Sequence, residues 1–292
     1  DAQKYFDGMY NMYEKHRSKI NHANMSWIIH KSEKSSKDSD SATDGDLDIA
    51  FALLLADKQW GSDGDINYIG QATNIINNGI KGGDVDTSSY RVKLGDWQSD
   101  KYNTRVSDWM TDHFSAFQRA TGDSFWNNVN ETIYNLIDAI TTNFASKTGL
   151  MPDFVVGSTP KPAKPKFIEA DTDGDYSWNS CRYPWRISLN YMISGDEKSK
   201  AAATKVVDWV ISSTGGNIKK IYAGYKLNGT KLVNYQEPAF IAPFVVAATL
   251  NSKNQDFVNK GWSKISNWKD EYFNDSINLL CQLAISGNYW AP

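Results

Sequence analysis

Three carboxylates crowd one short segment of the chain, residues 41–61 (SATDGDLDIAFALLLADKQWG). Asp44, Asp46 and Asp48 lie at the start of an apolar run that predicts a buried helix. Acidic residues are favoured at a helix N-terminus because of its unpaired N–H groups and its dipole. That capping role is the ordinary interpretation, but it needs only one acid. We therefore expect the three together to bind the hydroxyl groups of a polar ligand such as a sugar.

A second segment that could carry chemistry is residues 167–187 (FIEADTDGDYSWNSCRYPWRI). Glu169 follows a loop rich in Pro and Lys, and a loop held by a rigid scaffold is a common place for a catalytic base. The Asp-rich run 171–175 resembles the start of a calcium loop. Its glycine falls too early, however, and no Glu closes the loop at the twelfth position, so we expect no metal site.

Composition narrows the function classes. Aromatic residues make up 13% of the 292 residues, with eleven Trp and fifteen Tyr, which suits stacking on sugar rings, although large cores also use aromatics. The net charge of −3 is spread without a basic stripe, which argues against nucleic acid. No apolar run approaches the roughly 20 residues that cross a membrane. Cys181 and Cys281 could form a disulfide or be two buried thiols.

Helical patterns dominate the chain, and short hairpins are plausible only near 86–95 and 220–233. Some helices are apolar on nearly all sides, as in IAFALLLA (49–56), the segment 240–250 and INLLCQLAI (277–285); others have a single apolar stripe. This alternation predicts inner and outer helices. The ten candidates are 1–16, 45–59, 64–80, 107–120, 123–145, 184–195, 197–213, 237–250, 253–268 and 271–286.

Alternation of inner and outer helices indicates a double ring of helical hairpins, since no fixed repeat period supports a stacked superhelix. A ring of six hairpins needs twelve helices, and the ten candidates begin with an outer type and end with an inner type. We therefore expect residues 1–292 to form one domain that is N-terminally incomplete, with one inner and one outer helix preceding residue 1.

The two segments resemble glycoside hydrolase family 8. SATDGDLDIAFALLLADKQWG is similar to the family's Ala-Thr-Asp-x-Asp block, which opens an inner helix, and NSCRYPWRI is similar to its Cys-Arg-x-Pro-Trp-Arg block. Further similarity includes LGDW (94–97), TGLMPDF (148–154) and AFIAPF (239–244), so the match extends over nearly the whole chain. The resemblance implies an all-α (α/α)6 double barrel and endo-acting hydrolysis of β-1,4-linked glycans with inversion. It implies no cofactor.

The resemblance also implies roles for single residues. Many members have an Asp as catalytic base where this chain has Asn179, and an amide cannot accept a proton. In a subgroup that includes chitosanases and some glucanases the base is a Glu in the preceding loop, the place of Glu169. We therefore expect Glu169 to be the base, with Asp171 or Asp173 as the next candidates. Asn179 is expected to orient water or substrate.

Asp44 matches the acid that holds the sugar at the cleavage point. Arg182 is expected to lie near the base and keep it ionised. The aromatic residues that could stack on sugars, or equally pack in the core, are Trp27, Trp97, Trp178 and, as a weaker candidate, Tyr272.

The family's general acid is a Glu in a Ser-Glu-Gly-like motif on an inner helix that would precede residue 1. We therefore expect the chain by itself to be inactive, and a separate N-terminal fragment could complete the barrel. A secreted enzyme acting on chitosan is slightly favoured over one acting on cellulose or mixed-linkage β-glucan, because surplus acids would suit glucosamine. A non-catalytic carbohydrate-binding relative is the alternative. A lyase is disfavoured, since His16, His22, His30 and His113 lie in no suitable segment.

Overall fold

The computed structural model describes residues 1–29 and 40–292, so His30 lies outside the described residues. Within them the chain is mainly helical, as predicted. The helices are α1 (Ala2–Lys15), α2 (Thr43–Trp60), α3 (Tyr68–Asn74), α4 (Thr111–Thr121), α5 (Phe125–Asn143), α6 (Tyr183–Ser194), α7 (Glu197–Thr214), α8 (Pro238–Ala248), α9 (Gln255–Ile265) and α10 (Tyr272–Ile285). Short strands are β1 (Thr104–Arg105), β2 (Phe154–Val156) and β3 (Lys161–Pro162).

The chain folds into two compact units. The first comprises residues 1–104, 113–132 and 291–292, and the second comprises residues 105–112 and 133–290. Helices α4 and α5 each contribute residues to both units. Each unit has its own buried core, and each is described by itself below.

In the first unit α2 is the central element. Its apolar residues Leu47, Ala50, Leu53 and Leu54 are buried, and α2 packs against α3 and the helix that follows it. That following segment, Ile75–Asp84, is a π-helix, so the single helix predicted over 64–80 is divided into two types. The wider turn of a π-helix shifts the register of its side chains, a change that apolar spacing does not reveal.

In the second unit α8 is the core. All eleven of its residues are buried, and it packs against α6, α7, α9 and α10. Its sequence, PAFIAPFVVAA, is apolar on every side, as an inner helix requires. Helices α7 and α9 bury only one face each, which confirms their prediction as outer helices.

Two sequence predictions need correction in the second unit. Helix α10 was predicted to be apolar and buried on nearly all sides, but Phe273 and Leu279 are exposed and only one face is covered. A two-stranded hairpin of β2 and β3, pairing Val155 with Pro162, was not predicted. The strands are too short to produce an alternating pattern.

The thiols of Cys181 and Cys281 are both buried and free, and burial raises the pKa of Cys181 to about 12.

Candidate active site

Glu169 lies on a tight turn of the second unit that is shaped by another carboxylate. The buried side chain of Asp173 accepts hydrogen bonds from the backbone N–H groups of Ile168 (2.8 Å), Glu169 (3.0 Å) and Ala170 (2.8 Å). Three donors converging on one aspartate fix the backbone of the turn, because charge-assisted hydrogen bonds are the stronger kind. Asp173, which the sequence allowed as an alternative base, is therefore a structural residue of the turn.

The carboxylate of Glu169 is held on both oxygens. Arg105 Nη2 donates to Oε1 at 2.9 Å, and Asn179 Nδ2 donates to Oε2 at 2.8 Å. The Glu169 side chain is 43% exposed, whereas that of Arg105 is only 14% exposed. The carboxylate thus has a fixed orientation and a face open to solvent, which is what a base acting on water requires.

Asn179 connects this carboxylate to a second cation. Its Oδ1 accepts from Arg182 Nη2 at 3.2 Å while its Nδ2 donates to Glu169, so the two neighbours together assign the orientation of the amide. Asn179 is buried. Arg182 was expected near the base, and its contact with Asn179 links it to Glu169.

Arg105, which contacts Glu169 directly, was not predicted from the sequence. It lies 64 residues before its partner, and its guanidinium packs over the ring of Phe154 at 5.4 Å. Arg105 stands between Thr104 and Val106, which are both buried. An arginine between two such residues is a weak indication that its cation is partly buried. No sequence feature near Arg105 or near Glu169 indicates that the two residues form an ion pair.

The predicted aromatic residues of the second unit are accessible. Trp178 is partly exposed and is supported edge-on by Phe240 (centroids 5.1 Å apart) and Phe273 (5.8 Å). Phe273 was not predicted, and the Arg182 guanidinium lies 5.8 Å from its ring centroid. Tyr272 is almost fully exposed. A supported ring with an open face can stack on a sugar.

In the first unit, Asp44 and two predicted tryptophans are accessible as well. Asp44 is half-buried in the first turn of α2 and accepts a hydrogen bond from Gly45 N at 3.0 Å. Trp27 and Trp97 are exposed. Gly95 allows the backbone before Trp97 to approach closely, since a Cβ there would lie 2.2 Å from the backbone oxygen of Ser41.

The three acids at the start of α2 do not share one environment. Asp46 is buried and accepts from Met25 N at 2.8 Å, so the expectation that it binds a ligand together with Asp44 and Asp48 is wrong. Asp48 is exposed, and its Oδ1 lies 2.9 Å from Nε2 of the buried His113. Helical spacing explains the difference, because residues i and i+2 face different sides of a helix whereas i and i+4 share one.

Asp46 lies in a group of acids with the buried Asp84 and the half-buried Asp96. Asp84 accepts from Asn24 Nδ2 at 3.0 Å and from Ser41 Oγ at 3.3 Å, and Asp96 accepts from Ser41 N at 2.9 Å. Burial raises the pKa of Asp46 to about 8, with the nearby Asp96 charge adding to the effect. Burial, together with the charges of Asp46 and Asp96, also raises the pKa of Asp84 well above its usual range.

This group predicts a loss of stability at alkaline pH. A carboxyl whose pKa is raised by folding stabilises the protein fully below the unfolded value near 4, and the contribution is lost as pH rises through about 8. We expect the free energy of unfolding to fall by on the order of 2 kcal/mol between pH 5 and 8. Asp46→Asn keeps an acceptor for Met25 N and removes the titration, so its stability should fall less over that range.

Chemical unfolding of the parent and Asp46→Asn at several pH values is the measurement. The matched control is Asp256→Asn, the same change at an exposed residue of α9, which should follow the parent. A steeper decline in Asp46→Asn than in the parent would contradict the assignment.

Among residues 1–29 and 40–292, no group of three or more His, Cys, Asp or Glu side chains is arranged to hold a metal ion. None of the helices in those ranges combines the length and apolar character needed to cross a membrane.

The chain is similar to known proteins in its sequence and in its fold. The model of the family described as glycosyl hydrolases family 8 matches residues 1–287. A β-glucanase of Niallia circulans is 45% identical over 296 residues, covering 99% of this chain and 72% of that protein. An endoglucanase of Bacillus sp. (strain KSM-330) is 44% identical over 293 residues, covering 100% of this chain and 63% of that protein.

A solved structure is also similar. The apo structure of a β-1,3-1,4-glucanase from Paenibacillus sp. X4 superposes with a TM-score of 0.96 at 45% identity, covering 100% of this chain and 78% of that one. The predicted (α/α)6 fold class is confirmed by this likeness. The chain thus spans between about two thirds and four fifths of the length of these three relatives.

Proposed function

Because the chain belongs to glycosyl hydrolase family 8, we propose that it hydrolyses internal β-1,4 bonds of β-glucans with inversion, using Glu169 as the general base. The observation that carries the proposal is the Glu169 carboxylate, open to solvent and held by Arg105 and Asn179. The predicted family, and with it the class of glycoside hydrolases, is confirmed by the match over residues 1–287.

The chemistry that this carboxylate supports is proton removal from water. In an inverting enzyme, water attacks the anomeric carbon and its proton passes to the base, while a second carboxyl about 6.5–9.5 Å away protonates the leaving oxygen. Arg105 and Asn179 each donate to one oxygen of Glu169, which fixes the orientation in which the carboxylate would meet the water. The resemblance implies a Glu as that second carboxyl, and it assigns Asp44 to holding the sugar. Both remain predictions.

β-Glucan is the substrate class that we favour over chitosan. Five acids could have met glucosamine ammonium groups: Asp44, Asp46, Asp171, Asp173 and Asp175. Of these, Asp46 and Asp173 are buried and bonded to backbone N–H groups. That removes part of the argument for chitosan. The β-glucanase and endoglucanase relatives point the same way. A polymer too large to enter a cell must be cut outside it, so secretion is part of the proposal.

The test is viscometry of the full-length protein on lichenan, carboxymethylcellulose and chitosan. We expect viscosity of the two glucans to fall before many reducing ends appear, with chitosan cut at least about tenfold more slowly, a discrimination typical of lost polar contacts. NMR of the first products should show the α-anomer. Faster loss on chitosan would contradict the substrate class. Binding without cleavage of any polymer would support the non-catalytic alternative.

A further inference from the structure

Asp153 is a buried aspartate just before β2 whose side chain closes a turn of the second unit. A single oxygen, Oδ1, accepts from the backbone N–H groups of Ser177 (3.1 Å), Asn179 (3.1 Å) and Ser180 (2.7 Å), and from Ser180 Oγ (2.7 Å). Four donors on one carboxylate oxygen define the path of residues 177–180. Asn179, which donates to Glu169, lies within this turn.

The backbone of Asp153 bonds to the other two segments that form the site. Its carbonyl oxygen accepts from Val106 N at 3.0 Å, directly after Arg105, and its N–H donates to Asp175 O at 2.8 Å, at the end of the Glu169 loop. One residue therefore connects the backbones that carry Arg105, Glu169 and Asn179. These three side chains meet through the two hydrogen bonds at the Glu169 carboxylate.

The geometry points to Asp153 as a positioning residue for the proposed base, one that holds the 177–180 turn where Asn179 Nδ2 meets Glu169 Oε2. This inference rests on the proposed function. Its physical basis is that removing the carboxylate leaves the N–H groups of Asn179 and Ser180 without their acceptor and Ser177 N–H with Ser180 Oγ alone, which forces the turn to move or admit water. A displacement of about 1 Å at a catalytic group can cost about a hundredfold in rate.

Two substitutions in the full-length protein test the role. Asp153→Ala removes the acceptor, and Asp153→Asn keeps the shape and one acceptor oxygen without the charge. In crystals of Asp153→Ala we expect the distance from Asn179 Nδ2 to Glu169 Oε2 to exceed the 2.8 Å of the parent by about 1 Å. The kcat on lichenan should fall by about 10–100-fold, with KM within about threefold because substrate contacts stay in place. Asp153→Asn should recover part of the loss.

The matched control is Asp196→Ala, which removes an aspartate cap elsewhere in the same unit. Asp196 caps α7 by accepting from Ser199 N at 2.7 Å. This control should lower the unfolding temperature and leave kcat within about twofold, since cap loss costs stability and not geometry at the base. A role limited to stability would make Asp153→Ala behave like this control.

The inference is overturned if Asp153→Ala keeps the parental distance between Asn179 and Glu169 and a kcat within threefold of the parent. If Asp153→Ala does not fold, Asp153→Asn decides, and parental kcat and geometry in that variant would overturn the inference too. Failure of the proposed function is recognised separately, as retained hydrolysis by Glu169→Gln, because the crystallographic distance in the Asp153 variants does not depend on which residue is the base.

Discussion

Glu169→Gln is expected to lower kcat by about a thousandfold in the full-length protein, within the range that general-base catalysis contributes. Glutamine has nearly the same size and keeps one acceptor oxygen for Arg105 or Asn179, but its amide cannot accept a proton from water. Binding of oligosaccharides should therefore change little, because the shape of the site is retained. Initial rates on lichenan and calorimetric binding of a cello-oligosaccharide measure the two quantities.

The matched control is Glu197→Gln, the same change at an exposed residue of the same unit, whose Oε1 lies 3.6 Å from Lys200 Nζ. It should retain parental kcat. A complementary variant, Glu169→Ala, opens space beside the anomeric carbon, and azide, which attacks without losing a proton, should restore turnover. Hydrolysis by Glu169→Gln within tenfold of the parent would show that another residue is the base.

Arg105→Gln should lower kcat on lichenan by about 10–100-fold in the full-length protein, because the Glu169 carboxylate loses the donor that fixes its Oε1. The guanidinium lies 2.9 Å from that carboxylate, and without it the side chain keeps the hydrogen bond from Asn179 but is no longer held on both oxygens. KM should change by less than about threefold, because the loss is in the geometry of the base. Initial rates on lichenan measure both quantities.

Arg105→Lys and Arg119→Gln are the comparison variants. Lysine keeps the charge and one donor without the fork geometry, so its kcat should lie between those of the parent and Arg105→Gln. Arg119 is an exposed residue of α4, and its substitution should leave kcat unchanged. Parental kcat in Arg105→Gln would mean that the ion pair does not position the base.

Much of the candidate site was predictable because its motifs are local. Glu169 and Asn179 lie ten residues apart in one segment, and the structure joins them by a hydrogen bond of 2.8 Å. Trp178 lies beside Asn179 and is accessible, as predicted. Asp44 belongs to the other unit, and its implied role of holding the sugar stays a prediction.

The roles of several acids were not predictable. Asp46 was expected at a ligand and is buried, and Asp173 was a candidate base but shapes a turn. Asp153 lies in TGLMPDF, a segment whose resemblance implied no role for single residues. A carboxylate that binds a sugar and one that binds backbone N–H groups are the same residue type, and only their surroundings distinguish them.

The positions of the helices and the family were determined by the sequence by itself. Apolar spacing and terminal glycines such as Gly215 act within a few residues, so they can be read locally, and the two family blocks are contiguous. Tertiary structure alone decided that Arg105 meets Glu169 across 64 residues, that Asp153 holds three segments, and that Ile75–Asp84 is a π-helix. Contacts between distant segments depend on packing of the whole unit, and such packing leaves no periodic trace in the chain.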